Sequence, residues 1–172
     1  DLFLLTDKPA LYVGNVNEDD ITAHHPGPVA GVLRTWGKET GEQVLILSAA
    51  LEHDLSFLQD EEERTFFMNE WQLQEDGLET LVHQTYELLN LITFFTTESN
   101  HVQAWTVPSG TDAPQAAGVI HTDFERGFIK ADVYGCNDLF THGSETALRE
   151  LGLISTHGKD YEVQDGDVIK FR

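Results

Sequence analysis

Two apolar segments on either side of a helical pattern constrain the fold of this chain more than any other feature. ALYVGNV, residues 10–16, and QVLILSAA, residues 43–50, are apolar on both faces, which is typical of buried parallel strands. Between them, Pro28 suits a first helical turn, the helical pattern reaches about Thr40, and Gly41 is a plausible stop. Strand, helix and strand in this order predict a βαβ unit with parallel pairing and a right-handed crossover.

Acidic helical segments follow this unit. We predict a short helix over residues 51–58 and a second over 60–70, whose first-turn acids complement the helix dipole. A third helix is predicted over residues 77–92, because its apolar residues recur at helical spacing. We expect that apolar stripe to pack on a core.

From about residue 91 the pattern changes to short strands. Strand patterns cover residues 93–97, 102–107, 127–134, 161–163 and 168–171. Ser99-Asn100 supplies turn residues between the first two strands, and Asp165-Gly166 predicts that the last two form a hairpin. Short helices are predicted over residues 113–120 and 144–151. This order is typical of an α+β domain of about 80 residues, so we predict two domains, residues 1–89 and 90–172.

The formal net charge of −20 is extreme for a chain of 172 residues. Residues 1–89 contain 18 acidic and 4 basic residues, and residues 90–172 contain 12 and 6. Such a charge disfavours nucleic acid unless the few bases are clustered. An acidic surface of this kind also suits concentrated salt, so one hypothesis is a halophilic protein from a saline host. The alternative is an ordinary acidic cytosolic protein.

Cysteine content and apolar run length predict where the protein works. Cys136 is the only cysteine, so no disulfide forms within the chain, and this usage fits a reducing compartment. The first residues show no basic region and no small-residue cleavage site, so we expect no secretory signal. The apolar runs are too short to span a membrane. We therefore expect a cytoplasmic protein without a membrane partner.

The ends of the two predicted parallel strands form a candidate ligand crevice. Residues 15–18, Asn-Val-Asn-Glu, follow the first strand, and residues 48–52 follow the second. Open α/β sheets bind ligands at the carboxyl ends of their strands. The residues alone leave a second interpretation open, because Asn and acidic residues after a strand are also common turn formers.

Metal and phosphate chemistry have weaker support. His24-His25 and His121-x-Asp123 match no tetrahedral zinc spacing, so we expect no metal site. No Gly-x-x-x-x-Gly-Lys-Ser/Thr segment occurs, and this segment would supply the phosphate cradle, its lysine and the Mg²⁺-binding hydroxyl. We therefore expect no catalytic residue and no Mg²⁺ ligand in this chain.

Three segments resemble one family of nucleotidases. They are LLTDKPALYVGNVNED, SAALE, and AWTVPSGTDAPQAAGVIHTDFERGFIKADV followed by GKDYEVQDGDVIKFR. They are similar to the C-terminal half of the YchF-type Obg-like ATPases, and the similarity covers essentially the whole chain. The resemblance implies an α/β plus α+β chain. Residues 1–89 would be the C-terminal portion of a Rossmann-like P-loop nucleotidase domain of the Obg type, and residues 90–172 a TGS domain, a ubiquitin-like β-grasp module.

The resemblance also implies function. The intact family members are P-loop ATPases that prefer ATP over GTP, use Mg²⁺ and associate with the ribosome, through its large subunit or RNA. This chain alone is expected to be inactive, because the phosphate-binding loop supplies most of the electrostatic stabilisation of phosphoryl transfer.

Residues 15–18 gain a specific role from the resemblance. GTPases read guanine with an Asn-Lys-x-Asp loop, but here Val16 replaces the lysine and Glu18 the aspartate, so the guanine clamp is expected to be lost. An asparagine amide can satisfy both the acceptor and the amino donor of adenine. By resemblance, Asn15 recognises the base, Val16 packs on it and Glu18 shapes the loop, or is a solvated acid. Backbone groups beside the base would come from Ser48, Ala49 and Ala50.

A non-catalytic function is the alternative. In this hypothesis a TGS domain docks on the ribosome, RNA or a protein partner. The basic residues that could cluster for such docking are Arg126, Lys130, Lys159, Lys170 and Arg172, and scattered surface charge is the other interpretation of these five. The net charge makes a protein partner at least as favourable as RNA.

Overall fold

A computed structural model of the chain describes residues 4–22, 27–71, 73, 76–98 and 101–172. The chain divides into two compact units, residues 1–89 and residues 90–172. The His24-His25 pair and the turn predicted at Ser99-Asn100 lie outside the described residues. No helix in the described ranges is long and apolar enough to cross a membrane.

The first unit contains two strands and five helices among its described residues. After a short 3₁₀ turn at Leu5–Asp7, they are β1 (Leu11–Asn15), α1 (Glu18–Thr22), α2 (Pro28–Thr40), β2 (Gln43–Leu47), α3 (Ala49–Ser56), α4 (Glu61–Glu70) and α5 (Gly77–Leu88). β1 and β2 pair in parallel, with Leu11 opposite Gln43 and Asn15 opposite Leu47. The predicted strand–helix–strand order with parallel pairing is therefore confirmed.

Helix α2 shows why the crossover forms where it does. Pro28 occupies its first turn, and Gly41 ends it in the left-handed conformation, with φ 76° and its N–H bonded to the carbonyl oxygen of Gly37. A Cβ atom at Gly37 would lie 2.6 Å from Cγ2 of Val44. The absence of a side chain at Gly37 therefore lets α2 pack closely on β2.

Side-chain caps fix the starts of the next three helices and correct the predicted boundaries. The strand predicted over residues 43–50 ends at Leu47, because the buried Ser48 caps α3 by accepting a hydrogen bond from the N–H of Leu51. Asp60 caps α4 and Asp76 caps α5 in the same way. The prediction that the third helix reaches residue 92 is wrong, because the chain leaves α5 at Leu88 and enters a strand.

The expectation that both faces of the first strand are buried is also wrong. Tyr12 is 41% exposed and Val13 is 46% exposed. Their sheet contains only β1 and β2 in the described part of the chain, so much of the strand surface remains uncovered.

Among its described residues, the second unit contains a mixed five-stranded sheet and four helices. Its elements are β3 (Leu91–Glu98), β4 (His101–Pro108), α6 (Ala113–Ile120), α7 (Thr122–Arg126), β5 (Ala131–Gly135), α8 (Cys136–His142), α9 (Glu145–Glu150), β6 (Ser155–His157) and β7 (Asp167–Phe171). The strand order is β4-β3-β7-β5-β6, in which β3 and β7 are parallel and every other neighbouring pair is antiparallel. The two short helices α7 and α8 were not predicted.

Both faces of this sheet carry a core. On one face, Phe94, Val107 and Ile169 pack with three alanines of α6, namely Ala113, Ala116 and Ala117. The small alanines let the helix approach the sheet closely. A smaller cluster of Tyr134, Leu148 and Val168 also includes the partly buried Cys136, in agreement with a packing role for that cysteine.

The predicted hairpin of residues 161–163 and 168–171 does not form. β7 pairs instead with β5 and β3, while the segment before it makes only an isolated bridge between Asp112 and Glu162. The Asp165-Gly166 turn has a different structural role. The Asp165 carboxylate accepts a hydrogen bond from the N–H of Thr93, and the N–H of Gly166 donates to the Thr93 carbonyl oxygen. The turn thus directs β7 into the middle of the sheet.

Candidate functional site

The two strand-end loops of the first unit are tied together by one side chain. Asn15 is the last residue of β1, and its Oδ1 accepts a hydrogen bond from the N–H of Ala49, the first residue of α3, at 3.0 Å. One residue further, the N–H of Val16 donates to the Leu47 carbonyl oxygen at 3.0 Å. The parallel pairing therefore brings the two predicted loops to one end of the sheet.

An open depression of about 320 Å³ lies between these loops. Its lining comprises Asn15, Val16, Asn17, Glu18, Asp19, Ser48 and Ala50. Five of the six residues predicted to surround a base line it, and the sixth, Ala49, holds Asn15 in place. Glu18 begins helix α1 at its rim.

The first turn of α3 keeps a single backbone donor for a ligand. The N–H of Ala49 is bonded to Asn15, and the N–H of Leu51 points to Oγ of Ser48 at 3.5 Å. Ser48 is 1% exposed, so its hydroxyl serves the helix start. Among the described residues nothing bonds the N–H of Ala50, which lines the depression.

The Asn15 amide keeps both kinds of hydrogen-bonding capacity. A carbonyl oxygen has two lone pairs, so Oδ1 can accept a second hydrogen bond, and the amino group offers two donors. The amino group of Asn15 can donate to an aromatic nitrogen of a base, and Oδ1 can accept from an exocyclic amino group of the base. The charges around it do not suit phosphate, because the described lining contains two acids, Glu18 and Asp19, and no basic residue.

The five candidate docking bases fall into three places of the second unit. Lys130 and Arg172 pair through their backbones, and Lys170 lies on β7 opposite Asp132 of β5. Arg126 ends α7, and Lys159 follows β6. Lys170 lies on β7, while Lys130 immediately precedes β5 and Arg172 immediately follows β7, so these three lie close together on two adjoining strands and their ends.

Asp132 reduces the positive charge of these three bases. The Thr156 hydroxyl donates to Asp132 Oδ1 at 2.7 Å, and Nε of Arg172 donates to Oδ2 at 2.8 Å. Both hydrogen bonds favour the carboxylate, so they hold the pKa of Asp132 below its ordinary value.

His121 has a structural role. Its Nδ1 accepts a hydrogen bond from the N–H of Asp123 at 3.2 Å and so caps α7. Within the described ranges, no group of three or more His, Cys, Asp or Glu residues could hold a metal ion.

The structure also contains a cavity that no motif indicated. It has a volume of about 290 Å³ and lies in the second unit between the sheet and helices α6 and α7. Its walls come from β3, β4, α6, α7 and β7, so the lining residues are dispersed along the sequence. Phe124 has polar neighbours in the sequence, but Trp105 lies in a strand pattern between Ala104 and Thr106, so neither residue marks a cavity.

Comparisons with known proteins agree with the fold of both units. The family YchF-GTPase_C, described as "Protein of unknown function (DUF933)", matches residues 91–172. The chain is 41% identical over 171 residues to the ribosome-binding ATPase YchF of Bacillus subtilis (strain 168), and 45% identical over 170 residues to that of Escherichia coli O157:H7. Each alignment covers 99% of this chain and 46% of the relative. The chain thus spans about half the length of these curated relatives.

Solved structures extend the similarity to three dimensions. The Schizosaccharomyces pombe YchF GTPase matches with a TM-score of 0.86 and 35% identity, over 99% of this chain and 45% of that one. A GTP-binding protein from Pyrococcus horikoshii OT3 shares the fold, with a TM-score of 0.63 and 19% identity. Over nearly its whole length the chain is therefore similar to the C-terminal part of YchF proteins.

Proposed function

We propose that this chain contributes the adenine-binding part of a ribosome-associated P-loop ATPase. In this proposal residues 1–89 are the C-terminal portion of the nucleotidase domain, and residues 90–172 are a TGS domain with the β-grasp fold. The Asn15–Ala49 hydrogen bond carries the nucleotide part of the proposal, because it fixes an amide at the wall of a depression between two strand-end loops. The names of the relatives support ATP hydrolysis and ribosome binding.

The β-grasp assignment has support from the sheet. A central parallel pair, β3 and β7, has an antiparallel strand on each outer side, and α6 packs across one face. The proposal places the protein in the cytoplasm, where ribosomes work.

Each residue of the base site has a separate task in this proposal. Asn15 forms hydrogen bonds to the adenine edge, Val16 packs against the ring, and Glu18 shapes the loop through the start of α1. Ala50 offers its N–H, while Ser48 and Ala49 hold the site together. ATP with Mg²⁺ supplies the phosphoryl group in the longer protein, and the residues described here orient the base.

Calorimetric titration with ATP and with GTP, in the presence of Mg²⁺ and at low and high KCl, tests the proposal. We expect weak ATP binding, no GTP binding and no phosphate release, because the residues of this chain hold the base and not the phosphates. Equal heats for the two nucleotides would contradict adenine selection by Asn15.

One variant separates base recognition by Asn15 from its hydrogen bond to Ala49, and a second variant serves as the control. Asn15→Asp keeps an oxygen that accepts from the N–H of Ala49 but replaces the amino donor with a carboxylate, so ATP binding should disappear while the loop stays in place. Asn137→Ala removes an exposed amide of α8 and serves as the control. Unchanged ATP binding by Asn15→Asp would show that this amide does not read the base.

A second candidate function is a TGS module that docks on the ribosome, RNA or a protein without catalysis. The separate core of residues 90–172 favours it, because this unit can present a stable surface by itself. Absence of nucleotide binding, together with ribosome cosedimentation that Lys130→Glu weakens, would support this alternative.

A further inference from the structure

Strand β4 forms one edge of the five-stranded sheet. β3 pairs with it on one side, and no strand covers its other side in the described part of the chain. An edge strand presents backbone N–H and C=O groups in a row, and proteins usually protect such an edge with lysine, proline or a bulge. β4 is eight residues long, carries no lysine or acidic residue, and has its only proline, Pro108, as its last residue. This edge is therefore open to pairing.

The 290 Å³ cavity adjoins the same strand. β4 supplies three alternate residues to its wall, His101, Gln103 and Trp105, which point to one face of the sheet. His101 and Gln103 are exposed, so the cavity opens along the edge. A backbone edge and a side-chain cavity thus lie beside each other on one strand.

The interior of the cavity suits a large apolar side chain. Its deeper wall includes Phe128, Ile169 and Phe171, which belong to or pack on the core. Nε1 of Trp105 donates to Oγ1 of Thr96 at 3.0 Å, and this hydrogen bond fixes the indole as a rigid wall. The volume approaches the lower end of small-molecule pockets, about 300 Å³, and exceeds what one apolar side chain needs.

We propose that β4 is a docking edge for an extended segment of a partner protein. The segment adds a sixth strand to the sheet and inserts one large apolar side chain into the cavity. Strand addition of this kind takes its affinity from main-chain hydrogen bonds and its specificity from pockets for alternate side chains. The edge and the cavity supply these two elements.

Charge identifies the chemistry of the segment. The cavity lining holds the exposed Asp123 and two bases, Lys170 and Arg172, and Arg172 pairs with Asp132, so the local charges nearly cancel. The long-range attraction is then set by the net charge of the chain, −20. The partner segment therefore carries lysine or arginine beside its apolar residue. Two copies of this chain repel each other through their acidic surfaces, which disfavours pairing of β4 with itself.

A designed peptide tests the proposal on the full chain. The probe is the capped heptapeptide Lys-Thr-Val-Phe-Val-Thr-Lys, in which phenylalanine is the central residue of one face. In ¹⁵N-labelled protein we expect amide shifts at residues 101–105 and around the cavity that saturate at millimolar peptide. Replacing the phenylalanine with alanine should weaken binding about tenfold or more, because the buried ring is lost.

Peptides methylated on backbone nitrogen distinguish strand addition from simple insertion into the cavity. Successive N–H groups of a strand point to opposite edges, so methylating one alternate set should abolish binding and methylating the other set should not. If both methylated peptides bind as well as the parent, strand addition is refuted.

Two substitutions on β4 form a matched pair. Gln103→Arg places a long side chain at the cavity, and Val102→Arg adds the same charge on the other face, where Val102 is 71% exposed. We expect Gln103→Arg to weaken binding about tenfold more than Val102→Arg, since only the former obstructs the cavity. Equal effects would refute insertion of a side chain.

Other results would also overturn the proposal. One is the absence of any shift at residues 101–105 with millimolar peptide. Another is self-association in sedimentation experiments that Val102→Arg abolishes, which would identify a second copy as the occupant. The proposal is independent of adenine binding, because its residues lie in the second unit and the base site lies in the first.

Discussion

Residues 1–89 and residues 90–172 differ in how completely they enclose their apolar side chains. Four apolar residues of the first unit are buried among those the structure describes, and thirteen of the second are. The first unit also exposes Phe57 at 69% and Leu78 at 60%. Since burial of apolar surface is the main favourable contribution to folding, the second unit should owe its stability to its core. The first unit should depend more strongly on caps, ion pairs and ionic conditions.

The largest expected effect is in the core of the second unit. Phe94 is fully buried, so Phe94→Ala should destabilise residues 90–172 by about 3–5 kcal/mol. Phe140→Ala is the control, because that ring is 79% exposed and its loss should cost about 0.5 kcal/mol or less. Urea unfolding followed by the NMR peaks of each unit measures both. If the two variants lose similar free energies of unfolding, the core does not explain the difference between the two units.

A cap should matter most in the first unit. Asp76 accepts hydrogen bonds from the N–H groups of Leu78 and Glu79 at the start of α5 and forms an ion pair with Arg64. Asp76→Ala should therefore cost about 2 kcal/mol, and Asp60→Ala, which removes a cap with one N–H partner, about 1 kcal/mol or less. The same urea titrations report both values. If Asp60→Ala costs as much as Asp76→Ala, the ion pair adds nothing.

KCl should change the stabilities of the two units by different amounts, and we expect this difference to be smaller than the effects of the substitutions above. The first carries 18 acidic and 4 basic residues and the second 12 and 6, so self-repulsion is stronger in the first. KCl should raise the urea midpoint of residues 1–89 more than that of residues 90–172, because salt screens this repulsion. A requirement for molar KCl would support a saline host. Equal rises in KCl and in sucrose would indicate a general osmotic effect instead.

The smallest expected effect on stability comes from a substitution of Asp132. Its pKa is lowered in the folded state, so its stabilising contribution is fully present above the ordinary value of about 3.9 and is lost as pH falls through the lower folded value. Asp132→Asn should therefore lower the urea midpoint of the second unit at neutral pH, and this effect should shrink as pH falls below about 3.9. The exposed Asp160→Asn should show no such difference.

Local signals explain which parts of the fold were predictable. Pro28 and Gly41 bound α2 as predicted, and an Asp112 cap with Pro114 in the first turn places α6 at the predicted residues, because both signals act within one helical turn. The position of β7 was not predictable in this way. Its placement depends on Asp165 and Thr93, which are far apart in sequence and come together only in the folded sheet.

The proximity of the two strand-end loops was predictable for a related reason. Asn15 and Ser48 each follow a strand, and parallel pairing necessarily brings such ends together. The tether from Asn15 to Ala49 could not be predicted, because it depends on α3 starting one residue after Ser48. The cavity beside β4 also lay beyond prediction, since five separate segments form its walls.

The position of β7 has a consequence for synthesis of the protein. In the sequence of residues 90–172 this strand comes after all the others, yet it joins the β4-β3 pair to the β5-β6 pair. A nascent chain that has exposed only residues 90–166 outside the ribosomal exit tunnel holds two separate hairpin-like halves. The sheet closes only after residues 167–171 have left the tunnel, so the core of this unit is completed by the strand of residues 90–172 that emerges after the other four.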